Sequence, residues 1–308
     1  MKKYIRIMRL DHWIKQLFII PGCIFAFFLA KISFTDALIL PLILGFLATC
    51  FIASANYVIN EYLDAEFDKY HPTKKYRSVV SEDVNPKIIW CLWIILTIIG
   101  LMLGYFTNIP VLIMVLWLWI MGILYNVKPI RTKDIPFLDV LSESINNAIR
   151  LLIGWFIISH TTLPPSSLVI GYWMGGAFLM ATKRFSEYRM INNPEIAGNY
   201  RKSFKYYTEK SLLISSFFYA MCSVFCVGVF LIKYRIELLL FMPALMGLFC
   251  YYFYIAFKED SAAQKPEKLY REKGLMIYVL LLIILFGILM FVDMPFLNAF
   301  TSDALIQI

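Results

Sequence analysis

The chain has 308 residues, of which 60% are hydrophobic and 16% charged, and its mean hydropathy is +0.70. That composition excludes an ordinary soluble globular protein and leaves no room for a separate aqueous domain. The net charge of +8 falls on one side of the predicted spans. It suits anionic headgroups and phosphates and is no evidence for nucleic acid as a partner.

About nine apolar runs approach the length needed to cross a bilayer. They cover residues 16–32, 37–60, 88–106, 110–125, 137–159, 165–182, 211–232, 236–257 and 275–292. The expected fold is therefore an all-α, polytopic membrane bundle, with residues 1–308 as a single integral membrane domain. No cleavable signal peptide is visible. The opening MKKYIRIMRLDHWIKQ is basic and amphipathic, with Trp13 placed like an interfacial anchor. Pro21-Gly22 in the first run marks a kink or a close packing point. Lys2, Lys3, Arg6, Arg9 and Lys15 share one side with the charged loops, while the opposite loops carry only Lys31, Lys233 and Arg235. The positive-inside rule places the N-terminus and those loops in the cytoplasm and the C-terminus outside. An integral membrane location is expected.

The second run ends in the most informative stretch. Asn56, Asn60, Asp64 and Asp68 recur every four residues. Each step drifts by only about 40° on a helix, so the later three share one face. His71, Lys74, Lys75 and Arg77 follow directly. Mg²⁺ takes one or two carboxylates plus substrate phosphate oxygens, so the pattern points to a diphosphate-bearing substrate. A solvated, charged helix end is the bland alternative. The loop from Tyr125 carries Lys128, Arg131 and Lys133, which a topology anchor would also explain. In the fifth run Asp139, Glu143, Asn146, Asn147 and Arg150 lie down one side of a helix. Charges inside a span are costly and by default face a functional cavity. A Glu143–Arg150 ion pair that merely fixes the bundle is the alternative. Lys183 and Arg184 end the sixth run, at a depth that suits a lipid phosphate, with plain topology anchoring as the alternative. The loop KEDSAAQKPEKLYREK reads as a solvated connector, and the six cysteines, all in apolar runs, as core packing.

These residues resemble the UbiA superfamily of intramembrane prenyltransferases over nearly the whole chain. The family pattern N-D-x-x-D-x-x-x-D is matched by Asn60-Glu61-x-x-Asp64-x-x-x-Asp68, and Y-x-x-x-K by Tyr125 to Lys128 with a shorter spacing. Typical members carry a second aspartate-rich motif where this chain has Lys183-Arg184-Phe185-Ser186-Glu187. That segment and His71-Pro72-Thr73-Lys74 resemble the decaprenyl-phosphate phosphoribosyltransferase branch. Glu61 in place of Asp, Ser78 in place of Pro, and the polar fifth run depart from that branch.

The resemblance implies nine helices, active-site loops at about 60–87, 125–137 and 183–210 on the cytoplasmic side, and Mg²⁺ dependence. Asn60, Glu61, Asp64 and Asp68 would bind the metal. Lys74, Arg77, Lys128, Arg131 and Tyr125 would hold the donor diphosphate, with Asp64, Asp68, Lys128 and Arg131 catalytic. Lys183 and Arg184 would hold a lipid phosphate, and Asn56, Asp139, Glu143, Asn147 and Arg150 would line the cavity. The expected reaction moves a 5-phosphoribosyl group from phosphoribosyl diphosphate to a polyprenyl phosphate, a step in making a cell-envelope lipid. Prenyl transfer from a prenyl diphosphate to an aromatic or lipid acceptor is the alternative. A transporter is disfavoured, because no internal repeat or pair of broken helices is evident and the polar residues cluster on one side.

Overall fold

The computed structural model describes residues 2–70, 74–258, 261–264, 269 and 271–300, and every element among them is helical. His71, Pro72, Thr73 and the side chain of Lys74 lie outside the described part.

The chain begins with α1 (Lys2–Ile7). A left-handed backbone at Arg9, φ 51°, redirects it into a 3-10 segment, Leu10–Ile19, and then α2 (Ile20–Leu29). Pro21 sits in the first turn of α2, where its missing N–H leaves no helical bond unmade. A Cβ at Gly22 would strike the Leu151 carbonyl, and one at Gly154 would strike that of Ile19. The Pro-Gly pair is thus both the point where the helix type changes and a close crossing. Trp13 is not a free interfacial anchor. Its indole N–H donates to Ser54 Oγ at 2.9 Å.

Next come α3 (Ile39–Asp68), α4 (Ser78–Ser81) and α5 (Pro86–Thr107). A single residue separates α5 from α6 (Ile109–Asn126). There Asn108 Oδ1 accepts from the Val111 N–H at 2.8 Å, capping α6, while its Nδ2 donates to the Phe156 carbonyl at 3.0 Å. The chain continues through α7 (Leu138–Ile158), α8 (Ser166–Ile191), α9 (Pro194–Tyr200), α10 (Glu209–Tyr234), α11 (Met242–Ala256) and α12 (Lys273–Phe291).

Among the described residues, seven stretches are long and apolar enough to cross a membrane: Lys2–Leu29, Asp36–Asp68, Pro86–Thr107, Ile109–Asn126, Glu209–Tyr234, Ile236–Ala256 and Lys273–Phe291. The two remaining predicted runs form α7 and α8, which are long enough but too polar to join them. The protein is a polytopic, all-helical membrane protein. Its two least apolar long helices lie at its centre, where protein rather than lipid surrounds their charges. α7 packs on α2, α6 and α8, and also touches α3. α3 packs on α5 and α6, and α8 packs on α10. Two helical groups therefore meet along α7. On the outside, α10 and α12 turn large apolar side chains such as Phe217, Phe225, Leu280 and Ile283 outward, as a lipid-facing wall requires. The 258–272 connector is not simply solvated. Ser261 and Ala263 are buried, and Gln264 and Leu269 reach the central cavity.

Candidate active site

The polar faces of α3, α6, α7 and α8, with the Leu10–Ile19 segment, enclose a cavity of about 870 Å³. The four-residue stripe of α3 forms one wall. Asn56 is seated first, because Gly122 of α6 has no side chain to occupy its place. Its Nδ2 donates to the Leu118 carbonyl at 2.9 Å. One turn on, Asn60 Nδ2 donates to Asn126 Oδ1 at 2.6 Å and to Asp64 Oδ2 at 3.1 Å. Asn60, Glu61, Asp64 and Asp68 all line the cavity.

Each of these carboxylates meets a cation delivered from a loop. Arg131 Nη2 donates to Asp64 Oδ1 at 2.9 Å, and Lys133 Nζ contacts the same oxygen. Lys133 also donates to Asn126 Oδ1 at 2.8 Å. Burial pushes its ammonium down to about 8, and the Asp64 carboxylate opposes that shift. Asp68 is paired with Arg77, and Glu61 with Arg9 at 3.2 Å. The guanidinium of Arg131 lies 4.7 Å above the Phe67 ring, which holds it on the α3 terminus.

The opposite wall is a buried network centred on Arg184, which is 1% exposed. Its guanidinium reaches Glu143, Glu187 at 3.3 Å and Asp139 at 3.5 Å. The Tyr125 hydroxyl donates to Glu143 at 2.8 Å and accepts from Arg184 at 3.2 Å and from Arg201 at 3.3 Å. Asp139 is fully buried. It accepts from Tyr207 at 2.7 Å, from Ser203 at 3.1 Å and from Arg201 at 3.4 Å. The Glu143–Arg150 pair that the α7 spacing allows is not formed. Glu143 turns to Arg184, and Arg150 hydrogen-bonds Gln16 Oε1 at 2.7 Å and the Asn146 carbonyl at 3.0 Å.

The structure brings most of the predicted residues to one cavity: Asn56, Tyr125, Glu143, Asn147, Arg150, Lys183, Arg184 and Arg77 line it with the α3 stripe. Arg131 lies behind Asp64, in a small side recess. Asp139 lies buried beneath the α7–α8 network. Lys128 is exposed and is not among the lining residues. Lys133, Asn126, Glu187, Arg9 and Arg201 complete the site. Lys133 and Glu187 stand inside segments that the sequence marks as informative. Arg9 and Arg201 carry no spacing signal.

Among the described residues, no three carboxylate, histidine or cysteine groups converge on one point. The donor set on α3 nevertheless suits Mg²⁺. It offers hard oxygens, one or two carboxylates per ion, and open cavity beside them for the phosphate oxygens that would complete the shell. Such a site would be finished by substrate rather than preformed.

The family model described as the UbiA prenyltransferase family matches residues 19–280. Decaprenyl-phosphate phosphoribosyltransferases of Corynebacterium glutamicum and Mycolicibacterium smegmatis are each 24% identical to this chain, over 208 and 234 residues. These matches cover 66% and 73% of this chain, and span 59% and 68% of those proteins' lengths. A structure of a UbiA homolog from Archaeoglobus fulgidus bound to DMAPP and Mg²⁺ has the same fold, with a TM-score of 0.69 at 19% identity, covering 94% of this chain and 100% of that one. The acidic stripe ending α3 therefore sits in a fold and a sequence match that extend over most of the molecule, and the chain belongs to the UbiA prenyltransferase family.

Proposed function

We propose that this protein moves a 5-phosphoribosyl group from phosphoribosyl diphosphate to a polyprenyl phosphate, with Mg²⁺, at a site facing the cytoplasm of a bacterial inner membrane. The observation that carries the reading is the state of the α8 wall. A second metal cluster would need carboxylates that a metal can free, but Glu143 and Glu187 both end on Arg184, a buried residue of α8 itself, whereas the cations that meet the α3 carboxylates come from loops and turns. One wall can thus serve a metal-bound diphosphate, while the other is cationic at Lys183. That asymmetry suits one substrate that brings a diphosphate and another that brings a bare phosphate. The two phosphoribosyltransferase relatives support the same choice. The N-terminus and the basic loops lie on the cytoplasmic side in this reading.

Asp64 and Asp68, with Asn60 and Glu61 beside them, would hold the metal, which would supply positive charge against the negative charge of the departing diphosphate. Arg77, Arg131 and Lys133 sit against those same carboxylates and add positive charge where the leaving diphosphate develops negative charge. The anomeric carbon of the ribosyl group gains cationic character as the bond to the diphosphate lengthens. An oxygen of the lipid phosphate attacks that carbon, and free diphosphate leaves. A phosphate monoester is anionic near neutral pH, so no strong base is required. Lys183 holds the lipid phosphate, and Arg184 acts through Glu143 and Tyr125 to position the wall. Lys128, being exposed, has no part in this reading.

The test is to incubate the purified chain with Mg²⁺, phosphoribosyl diphosphate and a polyprenyl phosphate, and to weigh the lipids. The expected product is the polyprenyl phosphate plus one phosphoribosyl unit, formed with one diphosphate released. If phosphoribosyl diphosphate is untouched while a prenyl diphosphate is consumed, the chain is a prenyltransferase instead.

A further inference from the structure

Arg150 stands apart from every other arginine that lines the cavity. Arg6, Arg9, Arg77, Arg184 and Arg201 each reach a carboxylate. Arg150 reaches none among the described residues. Its Nε donates to Gln16 Oε1 at 2.7 Å, and its Nη1 donates to the Asn146 carbonyl at 3.0 Å and to Asn147 Oδ1 at 3.4 Å. All three acceptors are neutral, and Nη2 has no partner among the described residues. A lone cation at this depth is costly. Arg150 lies twelve residues into α7, roughly 18 Å along the helix from its Leu138 end. The polar groups around it are incompletely satisfied too. Gln16 is fully buried, and its Nε2 donor has no hydrogen-bond partner in the described structure. Asn146 Oδ1 is likewise buried without a partner. Buried polar groups are normally paired, and a guanidinium fork matches a tetrahedral oxyanion in shape and charge.

We propose that Arg150, supported by Gln16 and Asn147, is a further anion-binding position in the cavity, in addition to the one assigned to Lys183. It takes a phosphate-class oxyanion without a metal, and it is separate from the acidic end at Asp64 and Asp68. The choice of phosphate as the anion rests on the transferase reading, which supplies two sources. One is the phosphate of the lipid acceptor. The other is the non-reacting phosphate of the soluble donor. Arg150 is seven residues, about 10 Å of helix, from Glu143, and its contacts are with Gln16, Asn146 and Asn147 rather than with Asp64 or Asp68.

The test uses the full-length chain purified in detergent, with EDTA present so that the acidic end takes no phosphate, and at constant ionic strength. Melting temperature is followed against inorganic phosphate, geranyl phosphate and ribose 5-phosphate. Inorganic phosphate should stabilise the wild-type chain saturably. The half-saturating concentration should rise roughly 10- to 100-fold in Arg150→Met and by a smaller factor in Arg150→Lys, which keeps the charge but loses the fork. Asp64→Asn should respond like the wild type. A wild-type phosphate response in Arg150→Met overturns the proposal. Should that variant fail to fold, a wild-type response in Arg150→Lys overturns it equally. Selective dependence of geranyl phosphate on Arg150 assigns the position to the lipid, and selective dependence of ribose 5-phosphate assigns it to the donor. Failure of the wild-type chain to consume phosphoribosyl diphosphate would remove the phosphoribosyl reading while leaving the dependence of inorganic phosphate on Arg150 intact, so the two ideas fail separately.

Discussion

The two walls of the cavity are both acidic and both neutralised, yet they are built differently. On α3, Asp64, Asp68 and Glu61 are met by Arg131, Lys133, Arg77 and Arg9, all carried on loops or turns outside the long helices. On α7 and α8, Asp139, Glu143 and Glu187 are met by Arg184, which belongs to α8 itself and is almost completely buried. Cations on loops can shift when a metal and a diphosphate arrive. A guanidinium locked between helices cannot shift without breaking the bundle. The α3 wall is therefore read as chemistry and the α7–α8 wall as the frame that presents it.

The sharpest way to break that contrast is to remove the frame. Arg184→Met strands Glu143, Glu187 and Asp139, and breaking a buried ion network by deleting one partner costs about 3–5 kcal/mol. The variant should lose melting temperature in detergent or fail to accumulate. A stable Arg184→Met chain would show that the wall is not structural. Asp64→Asn and Asp68→Asn should cost less melting temperature than Arg184→Met, because the amide oxygen still accepts from the loop cations, while turnover falls on the order of 10³-fold, the scale of a lost metal contribution. Full turnover by either variant would contradict the metal assignment. Lys183→Ala should act more narrowly. It removes one charge-assisted contact, about 1.5–3 kcal/mol, and should raise the KM for the polyprenyl phosphate roughly 10- to 150-fold with little change for the soluble donor. A loss confined to the soluble donor would exchange the two walls. The smallest effect belongs to Lys128→Ala. Its exposed side chain predicts a stability change within about 0.5 kcal/mol and no measurable change in kcat/KM.

The helical class and the acidic stripe are legible in the sequence because both are periodic. A four-residue repeat places Asn60, Asp64 and Asp68 on one face whatever the tertiary structure does. Pairing is not legible in this way. The α7 spacing permits Glu143 to meet Arg150, but Arg184 approaches from α8 and the Tyr125 hydroxyl from the end of α6, and together they claim Glu143. Arg201 reaches Asp139 from 62 residues away, and Arg9 reaches Glu61 from 52. Contacts of that range follow from the packing of α7 against α8 and of the N-terminal turn against α3, not from any local pattern. The apparent excess of polarity in α7 and α8 has the same origin. These helices are lined by protein on the sides that carry charge, so they tolerate a composition that a lipid-facing span would not.

Among the described residues, the carboxylates that can open to a metal are those of α3. This assignment is tested most directly by Mn²⁺ binding, followed by electron paramagnetic resonance in the presence of inorganic diphosphate, for the wild type, Asp64→Asn and Glu143→Gln. Asp64→Asn should weaken Mn²⁺ binding at least tenfold, about 1.4 kcal/mol, and Glu143→Gln should bind as the wild type does. Wild-type Mn²⁺ binding by Asp64→Asn, together with loss in Glu143→Gln, would contradict the assignment.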